Sequence, residues 1–85
     1  MTNSTIVVDN QETKVLQEVR GRTVYLEARA GNTTYIGVAN RDMPLATMKL
    51  LYPGQWFAIS AEFSERFYFK APSIVPQTVE WWYED

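Results

Sequence analysis

Trp56-Phe57-Ala58-Ile59-Ser60-Ala61, followed by Glu62-Phe63-Ser64-Glu65 and then Arg66-Phe67-Tyr68-Phe69-Lys70-Ala71, is the stretch that decides the fold. Side chains two residues apart share one face of a strand. Phe57 and Ile59 therefore fall on one side, and Trp56, Ala58 and Ser60 on the other. In the second run Phe67 and Phe69 point inward while Arg66, Tyr68 and Lys70 point outward. The reading is an aromatic core hairpin: two strands joined by a charged turn at Glu62 to Glu65.

Working upstream, Tyr52-Pro53-Gly54-Gln55 is a turn. Pro53 sets φ at its first central position and Gly54 supplies the positive φ needed at the second. Leu45 to Tyr52 is ambiguous, because Leu45, Met48 and Tyr52 have helical spacing behind a possible Asp42 cap while Met48 and Leu50 alternate like a strand. Helical turns this short are weak alone, which favours a strand over Met48 to Leu51. Thr23 to Ala30 alternates, with Val24, Leu26, Ala28 and Ala30 on the core side and Tyr25, Glu27 and Arg29 outside. A three-residue loop, Gly31 to Thr33, then leads to Thr34 to Ala39. That length sets Leu26 opposite Val38, Ala28 opposite Ile36, and Arg29 beside Tyr35 on the outside. Lys14 to Val19 and Thr5 to Val8 read as strands on either side of the turn Asp9-Asn10-Gln11-Glu12. Met1 to Thr5 is polar and reads as a flexible arm.

Downstream, Ala71 to Pro76 is a proline-punctuated crossing, too short for a crossover helix. Thr78 to Glu84 is a last strand, with Val79, Trp81 and Tyr83 on the core side and Glu80, Trp82 and Glu84 on the other. The expectation is an all-β protein: a compact antiparallel β-sandwich of seven to eight short strands, with a small β-barrel as the alternative. Residues 1–5 form the arm and 6–85 a single β domain. With 85 residues there is room for one core only. Five Tyr, four Phe and three Trp enlarge the area that core can bury.

The chain contains neither Cys nor His. Disulfides, thiolate chemistry, the commonest general base and the commonest metal ligands are therefore missing, and the expectation is no enzyme and no cofactor. Glu62 with Glu65 and Glu84 with Asp85 are the close acidic groupings, and both read as solvated strand ends rather than a catalytic pair. Asp9 to Glu12 lacks the spacing of a calcium loop. A net charge of −2 offers no footprint for a phosphate backbone, so nucleic acid is not an expected partner. Arg66 to Lys70 interleaves bases and aromatics but lacks the glycines and flanking helices of an RNA-recognition strand. The polar start and the short apolar runs point to a soluble protein made in the cytoplasm, with no membrane partner.

The feature above background is a set of outward aromatics: Tyr25, Tyr35, Trp56, Tyr68 and Trp82, with Arg29 beside them. Several large aromatics on the outside of one small domain mark a contact surface. Identical subunits, another protein, or a sugar ring stacked on Trp56 or Trp82 would each suit it.

Tyr35-Ile36-Gly37, Pro44-Leu45, Pro53-Gly54-Gln55 leading to Ile59-Ser60, Phe67 to Ala71 and Thr78-Val79-Glu80 give the chain a further property. Over about Thr33 to Glu84 it resembles the small all-β structural proteins of tailed-phage (bacteriophage) virions, such as capsid decoration or cement proteins and head-fibre base domains. Such chains run from the Pro-Leu pair almost directly into the Pro-Gly turn, whereas here Ala46 to Tyr52 intervenes, and no functional residues carry over. The resemblance implies a viral structural protein of the virion that binds the major capsid protein or another virion protein in many copies or as a homo-oligomer. The alternatives are a carbohydrate- or ligand-binding module of a receptor-binding assembly, and an inhibitor or regulator that uses an exposed strand edge.

Overall fold

Alternation sorts one set of apolar side chains of each strand inward, and two sheets result from stacking those apolar faces. In a computed structural model, which describes residues 2–17, 22–60 and 66–83, the strands are β1 (Thr2–Val8), β2 (Lys14–Leu16), β3 (Thr23–Ala28), β4 (Ile36–Ala39), β5 (Lys49–Leu51), β6 (Trp56–Ser60), β7 (Phe67–Lys70) and β8 (Gln77–Tyr83). Sheet A has the order β1-β8-β3-β6 and sheet B the order β2-β7-β4-β5, and every pairing is antiparallel. β4 and β5 are the one consecutive pair that hydrogen-bond to each other; every other connection changes sheet. This is the strand order of an eight-stranded jelly roll, two Greek keys folded into a double sheet. The expected antiparallel sandwich is therefore present, and the sheets do not close into a barrel.

The expected hairpins are not present. β6 pairs with β3, and β7 pairs with β2 and β4, so the two aromatic runs that opened the sequence reading lie in opposite sheets. Their connection, including Glu62 and Glu65, lies outside the described residues, as do Glu84 and Asp85. Leu26 faces Trp81 and Phe57 rather than Val38, and Val38 faces Phe69 and Lys49. The physical reason is shared by both corrections. A hairpin and an arch between two stacked sheets send the same alternate residues inward, so alternation cannot distinguish them. The inward sets themselves stand: Val24, Leu26, Ala28, Ile36, Val38, Phe67, Phe69, Val79 and Trp81 are all buried, with Phe57, Ile59 and Tyr83 partly buried against them. Ala30 is the exception, exposed in the arch beyond the end of β3.

Gln77 explains why the chain arches here. It occupies a core-side position of β8 and is fully buried, yet every polar atom of its amide is used. Its Oε1 accepts hydrogen bonds from the Thr33 and Thr34 N–H groups (2.8 and 3.1 Å), and its Nε2 donates to Thr33 Oγ1 and the Val75 carbonyl (both 2.9 Å). Beside it the Asn32 side chain mimics a strand: Nδ2 donates to the Thr78 carbonyl and Oδ1 accepts from the Thr78 N–H. The crossing from β3 to β4 is thereby anchored on β8.

Other elements follow local chemistry. Gly54 has φ +85°, and the Gln55 N–H donates to the Tyr52 carbonyl at 2.9 Å, the turn the Pro-Gly pair requires. The Asp9 carboxylate accepts from the Gln11 N–H, making the expected turn. Both readings of Leu45 to Tyr52 contain part of the answer: Leu45–Thr47 is one 3-10 turn and Lys49–Leu51 a strand. Met48 and Leu51, not Leu50, are the buried residues. The turn covers the outside of sheet B at Gly37, where a Cβ would collide with Leu45 Cδ1 and meet the Met48 side chain at 3.0 Å. β1 begins at Thr2 and pairs along its whole length with β8, so Thr2 to Thr5 belong to the sheet rather than to an arm. At the far end of β8, Tyr83 stacks on Trp81, and the Arg22 guanidinium stands 4.7 Å from its ring centre.

Gln77→Leu keeps the volume but strands two N–H groups, a hydroxyl and a carbonyl. It is expected to lower stability by about 2–4 kcal/mol in urea unfolding. Gly37→Val, forced against Leu45 and Met48, is expected to lose about 1–3 kcal/mol in the same measurement.

Candidate functional site

The outer face of sheet A carries the aromatics, and the register determines how they meet. Tyr25, on the interior strand β3, lies directly opposite Trp82 of β8 and Ala58 of β6. Opposed residues bring their Cβ atoms within contact range. Tyr25 and Trp82 accordingly stack, with ring centres 5.6 Å apart and planes 10° from parallel. Trp56 is opposite Glu27 and so diagonal to Tyr25; the small Ala58 leaves room for its ring to lean over, 6.5 Å from Tyr25 and tilted by 42°. The three rings form a ridge across three strands, Trp82–Tyr25–Trp56. Trp56 is its most open member, 60% exposed.

Two parallel six-membered rings lying flat and edge to edge would need centres more than about 6 Å apart at carbon contact distances. At 5.6 Å, Tyr25 and Trp82 overlap in an offset stack. Tyr25 and Trp82 are each partly buried, and Trp56 is the exposed ring of the ridge.

Charges frame the ridge. Glu27 and Glu80 are directly opposite each other on β3 and β8. Like charges in that position repel, and Arg29 offsets this by donating from Nη2 (2.8 Å) and Nε (3.2 Å) to Glu80 Oε1. Both partners are about half exposed, so the pair contributes at most about 1 kcal/mol. Glu27 stands between this pair and Trp56.

Six residues were expected at a contact surface, and the fold divides them. Trp56, Tyr25, Trp82 and Arg29 share the outer face of sheet A. Tyr68 is on the outer face of sheet B, half-buried opposite Val15 and Ala39. Tyr35 packs against Tyr52 next to the Pro-Gly turn, with ring centres 5.6 Å apart. Arg29 faces Glu80 and not Tyr35. Glu27 and Glu80 were not singled out as site residues, although their outward parity with Tyr25 and Trp82 was the signal. The loop between β7 and β8 adds Ile74 and Val75, 67% and 48% exposed, which the proline-rich reading passed over.

A cleft of about 270 Å³ lies elsewhere, between the turn at Asp9 to Thr13 and the loop over sheet B, bordered by Leu45, Lys70 and Ala71. Lys70, the cation among its lining residues, is already engaged. Lys70 Nζ donates to the Met43 carbonyl at 2.8 Å and pairs with Asp42 at 2.9 Å. Lys14 bonds Glu12, whose hydrogen bond and charge hold the ammonium above its ordinary pKa. Among the described residues no group of three or more Asp or Glu converges to hold a metal ion, and no helix is long and apolar enough to cross a membrane.

No family model matches the sequence, and no curated protein matches it significantly. Among solved structures the chain is similar to a de novo designed double-stranded β-helix determined by solution NMR. The TM-score is 0.68 over 99% of this chain and 100% of the designed one, at 15% sequence identity. That likeness shows the fold, and it agrees with the strand order derived above.

Trp81 is buried and Trp82 partly buried, so Trp56 should dominate collisional quenching. Trp56→Phe is expected to remove most of the iodide-quenchable fluorescence. A double-mutant cycle on Tyr25 and Trp82 should show a coupling of about 0.5–1.5 kcal/mol in unfolding experiments.

Proposed function

We propose that this chain is a non-enzymatic attachment domain that works in many copies on a larger assembly. The outer face of sheet A is its contact surface, and decoration of a virion shell is its specific role. The observation that carries the reading is the Trp82–Tyr25–Trp56 ridge, mounted on three hydrogen-bonded strands with its most open ring 60% exposed. A preformed aromatic surface on a rigid sheet loses little entropy when it is covered, which is how aromatic anchors contribute at protein interfaces. Jelly rolls are used in capsid and lectin domains among others, an association that supports the reading without assigning it. The phage resemblance of Thr33 to Glu84 adds the virion context.

A sugar-binding module is the second reading, favoured by the exposed Trp56 opposite Glu27. It is the weaker one, because Trp56 alone of the three rings is exposed while Tyr25 and Trp82 are partly buried.

The test is sedimentation of the native assembly from the source. The chain is expected in a large particle, and Trp56→Ala and Trp82→Ala are each expected to weaken rebinding to stripped particles at least about tenfold. Recovery only as a free 9.8 kDa chain would overturn the assignment. Binding on a glycan panel that Trp56→Ala abolishes would replace it with the second reading.

A further inference from the structure

The two sheets differ at their edges. Sheet B ends on β2 and β5, each three residues long and each carrying a lysine, Lys14 and Lys49. Short charged edges discourage pairing with another chain. Sheet A ends on β6 and β1. At β6 the Lys49 ammonium reaches across the corner to within 5.0 Å of the Phe57 ring centre, so a charge stands against that edge as well.

β1 has none of these protections. It is seven residues long, Thr2-Asn3-Ser4-Thr5-Ile6-Val7-Val8, with no charged residue and no proline. Its register with β8 runs unbroken from Thr2 opposite Tyr83 to Val8 opposite Gln77, without a bulge to twist the edge away. The backbone groups on its other side are directed outward, with no strand of the described residues beside them.

We propose that β1 is a pairing edge, and that its occupant is β1 of a second copy of this chain, antiparallel about a two-fold axis through Thr5. That register uses all seven residues. It sets Thr5 opposite Thr5 of the partner subunit, Ser4 opposite the partner subunit's Ile6, and Asn3 opposite the partner subunit's Val7. No charge opposes another, although the whole chain is net negative and would otherwise repel its copy. A Thr pair is a favourable cross-strand match, and Val7, 49% exposed in the single chain, gains a cross-strand neighbour. A two-fold contact of this kind closes as a dimer and leaves no unpaired β1 edge. The joined sheet runs β6-β3-β8-β1-β1-β8-β3-β6, with both aromatic ridges on the same outer face. The pairing rests on the fold and not on the role proposed for the ridge.

Because the chain has no cysteine, the register can be tested directly. Opposed residues of an antiparallel pair have Cα atoms about 4.5–5.5 Å apart, within the range a disulfide spans. Thr5→Cys is expected to form a covalent dimer under mild oxidation at least about tenfold faster than Ala46→Cys, an exposed control on the loop over sheet B. In sedimentation equilibrium the unmodified chain is expected to approach twice 9.8 kDa as concentration rises. Thr5→Lys, at an exposed position, is expected to keep its circular dichroism and remain at 9.8 kDa, because it opposes two ammonium groups on the axis. Equal cross-linking of the two cysteine variants, a monomer at every concentration, or an undiminished dimer with Lys at position 5 would overturn the proposal. None of these measurements involves the ridge, so the two readings fail separately.

Discussion

A chain that changes sheet at nearly every connection must satisfy the backbone of each crossing, and β8 does this for the crossing from β3 to β4. The buried Gln77 amide and the Asn32 side chain supply in that loop the hydrogen bonds a ladder supplies in a strand. A buried amide left half-paired costs more than an apolar residue in its place. Full pairing of Gln77 therefore selects one loop conformation, and with it the stacking of β4 over sheet A. The Pro53-Gly54 turn is fastened in the same way at the other side of β3: the Gly54 N–H donates to the Ala28 carbonyl and the Ala28 N–H to the Gln55 carbonyl, at 2.8 and 2.9 Å.

With both crossings held at the C-terminal end of β3, one on each side, its outward residues stand on a firm base. Tyr25 is flanked by neighbours on two strands and Trp56 leans over the gap that Ala58 leaves. A surface built this way is ordered before it meets anything. Beside it, Arg29 is paired with Glu80. The edges of the sheets carry a second kind of information. Lysines guard β2, β5 and, across the corner, β6, while β1 is neutral along its length. The pairing proposed at β1 would place two ridges together on one face, and linked contacts strengthen each other without any new one.

Much of this was legible in the residues. Alternation identified the inward sets of β3, β6, β7 and β8, because the two faces of a half-buried strand differ in polarity. The Pro-Gly turn and the Asp9 turn followed from backbone preferences that act within four residues. The outward parity of Tyr25, Trp56 and Trp82 was equally plain, and these three do meet. Tyr68 and Tyr35 have the same parity but belong to another face and another end. Gln77 carried a signal as well, an amide at a core-side position of an otherwise apolar alternation, and it passed without notice.

By itself the sequence determined the strand character of the chain, which side of each strand is apolar, and the lack of histidine and cysteine chemistry, all of which are local properties of residues. Tertiary structure alone decided which strands are neighbours. Hairpins and arches bury the same faces, so the choice between them rests on contacts distant in sequence: Gln77 with Thr33 and Thr34, Asn32 with Thr78, and Leu45 and Met48 over Gly37. For the same reason only the folded chain could show that the aromatic ridge is drawn from three strands, and that no strand of the described residues pairs with the second side of β1.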